Sequence, residues 1–358
     1  MKKLHLKGLD SLRAIAALVV VVSHIELLKS MFGIDSLNET PFFKDTGGHV
    51  AVVLFFVLSG FLITTLLLKE KEKTQSISLK NFYLRRILRV WPLYFIILAC
   101  SVLFVNYSPQ GITLVLSLAI FPNIAEAFYY GWAGSPQIWS IGTEEQFYLG
   151  WPFLLKFCKK RMMLILIILF VGISVLPQLV IFISDQLNTN TKTMDYVNRI
   201  FNMTKFNCMA VGGIFALIAL EHAKLSNFLN KKIFVITSVV LSFSLWFAGI
   251  SFDPFNDEVY AILFGLLIFN LAYSRNVPSS IDIAPIKFLG KISYGIYMYH
   301  WMIIAMILHY FPVFHGNTYL SNVILYLCVI GVTIIVSAVS FYLIEHRLLK
   351  LKDKFNRV

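Results

Sequence analysis

The sequence predicts an all-α, polytopic membrane protein. Three observations carry that reading. Of the 358 residues, 58% are hydrophobic and only 14% charged, whereas globular domains hold roughly 45–50% apolar residues. Apolar runs long enough for a membrane helix recur along the whole chain. Positive charge lies mostly in short loops, and a net charge of +12 distributed in this way orients a chain in a bilayer rather than forming one basic face. No nucleic-acid partner is expected.

The runs lie near 9–28, 49–68, 90–106, 111–124, 138–158, 162–184, 204–220, 233–250, 257–274, 288–311 and 320–345, and about 20 residues suffice to cross a bilayer. The first is read as a retained helix rather than a cleaved signal, because it carries Arg13 and His24 and no small-residue cleavage site follows "ELLKSMFG". Alternating sides place Lys2, Lys3, Lys7, the loop "KEKEKTQSISLKNFYLRR", Lys159–Arg161, Lys224–Lys232, Arg275–Lys291 and the tail after Arg347 in the cytoplasm. Of 31 Lys and Arg, only Lys29, Lys44, Lys192, Arg199 and Lys205 then fall outside.

The chain is outside near Pro109 and inside at Lys159, so the two runs between them cannot both cross. The weaker, 111–124, is short and ends in "FPN". It is expected to be re-entrant, leaving about ten transmembrane helices with both termini cytoplasmic. The alternative is that "WSIGTEEQF" lines a cavity instead. Cys100, Cys158, Cys208 and Cys328 fall within or beside apolar runs with neither disulfide nor zinc spacing, so no metal is expected.

Ionisable groups inside apolar runs point to the chemistry, since burying one at the bilayer centre costs roughly 2.5–3.5 kcal/mol on insertion scales. In "LDSLRAIAALVVVVSHIE", eleven residues separate Arg13 from His24, about 16 Å of rise and three turns plus roughly 20°. The two therefore share a face, with Arg13 near the cytoplasmic end and His24 in the outer half. Asp10 can pair with Arg13. A histidine is the natural general base near neutral pH. The plainer reading, a buried histidine bridging helices, is less expected at this depth on an Arg-bearing face. For His300 in "YGIYMYHWM" the two readings stand level.

Arg86 and Arg89 lie three residues apart at the cytoplasmic start of the third run, a spacing at which guanidinium forks hold phosphates. Ordinary positive-inside anchoring explains them as well. Glu144 and Glu145, near the outer part of a crossing helix, need a partner, water or a proton; either can orient His24 or a substrate hydroxyl. Glu345, at the inner end of the last run, can equally be an interfacial charge beside Arg347.

These segments resemble the membrane acyltransferase-3 family, the O-acetyltransferases of bacterial surface polysaccharides. The resemblance runs nearly end to end through "LDSLRAIAALVVVVSH", "LFFVLSGFLIT", "RRILRVWPLY", "WSIGTEEQFYLGWP", "LGKISYGIYMYHW" and "YLIEHRL". It implies a multi-pass enzyme of the bacterial cytoplasmic membrane, with a membrane acyltransferase domain over 1–346 and a short basic cytoplasmic tail over 347–358. The implied reaction moves acetyl from cytoplasmic acetyl-CoA to a carbohydrate hydroxyl at the outer face. His24 matches the family's proposed catalytic histidine. Arg13 matches its first-helix arginine, Arg86 and Arg89 its Arg-x-x-Arg pair for the acyl-CoA, and Glu345 the glutamate of its last core helix.

Two departures stand out. Val53 replaces an acidic residue common two positions before "FF", and Glu345-His346-Arg347 replaces Glu-x-Pro. No SGNH-type esterase domain is expected after Glu345. The implied partners are acetyl-CoA, a carbohydrate acceptor and the lipid bilayer; a homo-oligomer stays open. The rival reading is a secondary transporter or flippase for a sugar-containing substrate, because intramembrane Arg, His and Glu also build relays.

Overall fold

The computed structural model describes residues 6–105, 109, 111–158, 160–187, 191–274, 277, 283–316 and 318–352. Lys2, Lys3, Lys159, Arg275 and the tail from 353 onward lie outside the described residues. Every regular element among the described residues is helical: α1 (Leu9–Met31), α2 (Gly47–Thr74), α3 (Leu79–Phe104), α4 (Gly111–Leu118), α5 (Pro122–Ala127), α6 (Ile138–Phe157), α7 (Lys160–Gln186), α8 (Lys192–Thr204), α9 (Phe206–Glu221), α10 (Ala223–Leu229), α11 (Lys232–Phe247), α12 (Asn256–Tyr273), α13 (Ala284–Tyr310), α14 (Tyr319–Ser340) and α15 (His346–Lys352). Single π-helical turns precede α2 and follow α14.

This is a helical membrane protein. Among the described residues, Leu9–Met31, Phe42–Thr74, Leu79–Phe104, Lys192–Glu221 and Tyr319–Leu351 are long and apolar enough to cross a bilayer. The pair α10–α11, bent by 64°, adds a sixth if it counts as one span. The surface of α14 shows why lipid suits it: Leu325, Val329, Thr333 and Ser337 form a buried i,i+4 stripe, while Leu327, Ile335 and Val339 on the other faces are exposed. The run expected at 111–124 is two short helices of 8 and 6 residues, each far shorter than the ~30 Å hydrocarbon layer at 1.5 Å per residue.

At the centre lies α2, with Leu54, Phe56, Leu58, Phe61, Ile63 and Leu67 fully buried. It packs on α1, α6, α9 and α12. Its closest neighbour is α9, because Gly60 faces the Met209 carbonyl and Gly212 faces the Val57 carbonyl. In a bilayer, where apolar contact with lipid is as good as with protein, such backbone-to-backbone approach drives helix pairing. Gly60→Val is therefore expected to wedge α2 from α9 and destabilise the fold by about 1–3 kcal/mol, read as a lower melting temperature in detergent. An unchanged melt would show that the approach is not needed.

Two elements begin where the apolar runs do not. α3 starts eleven residues before its run, because the Ser78 hydroxyl accepts from the Asn81 amide and caps a polar first turn. Arg85, Arg86 and Arg89 thus sit within the helix rather than at its start. α8 was not foreseen, because none of its residues is buried. Its Arg199 donates to the carbonyls of Glu126 (2.8 Å) and Ala127 (3.0 Å) and lies over the Tyr129 ring, closing the C-terminus of α5.

Candidate active site

A cavity of about 290 Å³ opens between α1, α2, α3, α6 and α13. Arg13, Arg86 and Arg89 converge on it from two helices, together with Asp10 and Glu144. Arg13 pairs with Asp10 at 3.2 Å, and Arg85 is consumed outside the cavity by Glu70 at 3.1 Å. Arg86 lies over the Tyr148 ring, 4.6 Å from its centroid. Among the described residues neither Arg86 nor Arg89 has an ion-pair partner within 4.0 Å. Three guanidiniums against two carboxylates leave the lining positive, a setting for a polyanion.

Glu144 accepts from the hydroxyls of Ser59 (2.7 Å) and Tyr148 (3.1 Å). Glu145 points elsewhere and accepts from the Trp91 indole at 2.9 Å. Neither carboxylate is hydrogen-bonded to His24, so of the two expected roles, orienting His24 or a substrate hydroxyl, the first is not made in this structure. α6 begins inside the protein, where the Gln137 amide bonds the Met298 carbonyl (2.8 Å) and Ser140 meets the Tyr297 hydroxyl (2.7 Å). Glu144 stands beside the arginines in the cavity lining.

His24 is partly exposed and lies outside the cavity lining, as do His300, Glu145 and Glu345. Phe55 and Tyr297 both line the cavity, ring centroids 5.8 Å apart. Tyr297 in turn packs on the His300 ring at 5.7 Å, and His300 bonds His24 at 2.6 Å. His24 is thus linked to the cavity lining through His300 and Tyr297. Glu345, in the π turn after α14, is buried and close enough to Arg89 to interact electrostatically. His24 and Arg13 lie on α1, which packs along α13.

A family model described as an acyltransferase domain matches residues 6–342. The chain belongs to the acyltransferase-3 family. It is 28% identical to the peptidoglycan O-acetyltransferase OatA of Listeria monocytogenes over 374 residues, covering 95% of this chain and 55% of that protein. To a putative O-acetyltransferase of Staphylococcus aureus strain COL it is 28% identical, with 96% of this chain and 57% of the relative covered. The O-acetyltransferase OatA of Staphylococcus aureus NCTC 8325 matches at 28% over 95% and 57%. The chain thus spans a little over half the length of these curated relatives. No solved structure matches it.

Within this acyltransferase domain the sequence reading missed Ser59, Tyr148 and Tyr297. Each carries a hydroxyl in an apolar helix, a weak signal next to a charge. Tyr297 is readable afterwards from its place one turn before His300. The remaining ionisable groups of the first helix, Glu26 and Lys29, are structural: Glu26 pairs with Lys29 (2.8 Å), accepts from the Tyr326 hydroxyl (2.6 Å) and also from the Leu37 amide. Glu26→Ala leaves Lys29 buried and unpaired. It is expected to cost about 3–5 kcal/mol of stability, seen as lost monodisperse protein after mild heating; survival equal to wild type would refute the knot.

Proposed function

We propose that the chain transfers an acetyl group from acetyl-CoA, entering from the cytoplasm, to a hydroxyl of a cell-envelope carbohydrate. Peptidoglycan, the polymer named for the Listeria relative, is one such acceptor. In this reading the chain sits in the bacterial cytoplasmic membrane, crosses it about ten times and keeps both termini inside. The observation that carries it is the convergence of Arg13, Arg86 and Arg89 on one cavity whose lining Tyr297 packs on His300, the hydrogen-bond partner of His24.

The arginines would hold the phosphates of the donor, two of them free to offer whole guanidinium forks. The acyl-bearing arm would then lie along Ser59, Ser140 and Tyr297, and displacement of Phe55 and Tyr297 would bring the thioester to His24. There the imidazole takes the proton of the acceptor hydroxyl as its oxygen attacks the thioester carbonyl. The carbon–sulfur bond breaks, and the departing thiolate takes a proton. Asp10 would hold Arg13 in place, and Glu144 would fix Tyr148 beneath Arg86. No metal enters this scheme.

Purified protein in lipid nanodiscs, given radiolabelled acetyl-CoA and a soluble glycan oligomer, tests the proposal. Label on the glycan as a base-labile ester supports it. Movement of a sugar-lipid across vesicles without dependence on acetyl-CoA would favour a transporter or flippase instead.

A further inference from the structure

His24 and His300 are 276 residues apart in sequence and share a hydrogen bond of 2.6 Å between His24 Nδ1 and His300 Nε2. Their rings are parallel within 5°, with centroids 4.9 Å apart. That separation is about the nitrogen–nitrogen distance plus the two ring radii, so the rings lie edge to edge in one plane. The bond therefore runs along the lone-pair direction of one nitrogen and the N–H direction of the other, which is strong geometry for an imidazole pair.

The far side of His300 decides which nitrogen carries the proton. His300 Nδ1 sits 2.6 Å from the Tyr297 carbonyl oxygen. The carbonyl of Ile296 is also within reach of His300. Carbonyl oxygens only accept, so Nδ1 of His300 must hold a hydrogen. In a neutral ring that leaves Nε2 as a lone pair. His24 Nδ1 must then donate, and its proton is fixed there.

We infer that His300 is a positioning residue that sets the tautomer of His24. Its accepting Nε2 keeps the His24 proton on Nδ1 and leaves His24 Nε2 as the free lone pair that takes the acceptor's proton. Among the described residues no protein group occupies His24 Nε2, and Trp301 meets the ring edge-on at 5.1 Å, which holds its orientation. When Nε2 takes a proton, His24 becomes an imidazolium whose Nδ1–H already points at His300 Nε2. The proton returns from Nε2 to the departing thiolate, and both rings end in their starting state. The logic is that of a histidine oriented by a partner on its second nitrogen, with a histidine and a backbone carbonyl as the orienting chain.

This inference rests on the proposed role of His24 as base, and the experiment separates the two. Protein labelled with 15N only at histidine Nδ1, in nanodiscs, is compared by solid-state NMR with the same preparation of His24→Gln. The difference signal is expected in the protonated-nitrogen range; an unprotonated Nδ1 at residue 24 overturns the inference. In turnover assays His300→Leu is expected to lower kcat about 100-fold with KM for acetyl-CoA unchanged. His300→Gln, whose side-chain oxygen can accept from His24, is expected to recover at least tenfold of that loss. Equal rates for the Gln and Leu variants would reduce His300 to packing and overturn the inference. Full activity in His24→Gln would instead sink the base assignment, while the NMR result on the wild-type protein still decides the tautomer. Should His300→Leu fail to fold, that spectrum alone decides.

Discussion

Replacing His24 by alanine is expected to lower acetyl transfer by about a thousandfold, within the range that positioned general bases supply, while the protein still inserts and still binds acetyl-CoA. The side chain lines no part of the arginine cavity, so donor affinity should survive its loss. Among the described residues its side chain makes one hydrogen bond, to His300, which limits structural damage. His24→Ala should therefore separate chemistry from binding: kcat falls and the dissociation constant measured by calorimetry does not. A variant that loses donor binding in parallel would place His24 in the donor site and undo the division of labour between the two ends of α1.

The second large effect is the reverse. Arg86→Ala combined with Arg89→Ala is expected to weaken acetyl-CoA binding by at least about a hundredfold, since each hydrogen bond to a charged group is worth roughly 1.5–3 kcal/mol. Both side chains line the cavity without an ion-pair partner within 4.0 Å among the described residues, so their charge is available to a ligand. Lysine at both positions should recover part of the affinity, keeping the charge and losing the fork. The control is Arg85→Ala. That guanidinium belongs to Glu70, which also accepts from the Ser78 amide at 2.9 Å, so its loss should lower stability and leave affinity intact. If Arg85→Ala weakens binding as much as the double variant, the basic cluster is acting as a diffuse field rather than as a phosphate site.

Much of this architecture was legible in the chain. The apolar runs marked helices at α1, α2, α9, α11, α12, α13 and α14, because a long apolar run without turn signals favours a helix. The same signal misses what is polar or short: the capped lead of α3 and the surface helix α8 carry no apolar run, although α8 clamps the end of α5 through Arg199. Helical periodicity places Arg13 and His24 on one stripe, but it cannot say what faces that stripe. The partner of His24 comes from α13, and only the fold brings the two histidines into one plane. The surroundings of Glu144 were equally hidden. The sequence puts it near the outer part of a crossing helix, and only the fold shows that it lines the cavity with Arg86 while Gln137 and Ser140 anchor the start of α6 against Met298 and Tyr297.

The most direct measurement is an electron cryo-microscopy map of the full chain in nanodiscs with a non-hydrolysable acetyl-CoA analogue. The phosphates should lie among Arg13, Arg86 and Arg89, Phe55 and Tyr297 should be displaced, and the acyl carbonyl should come within reach of a hydroxyl held at His24 Nε2. A donor bound away from the three guanidiniums, or an acyl group that stays in the arginine cavity out of reach of His24 in an active protein, would contradict the account.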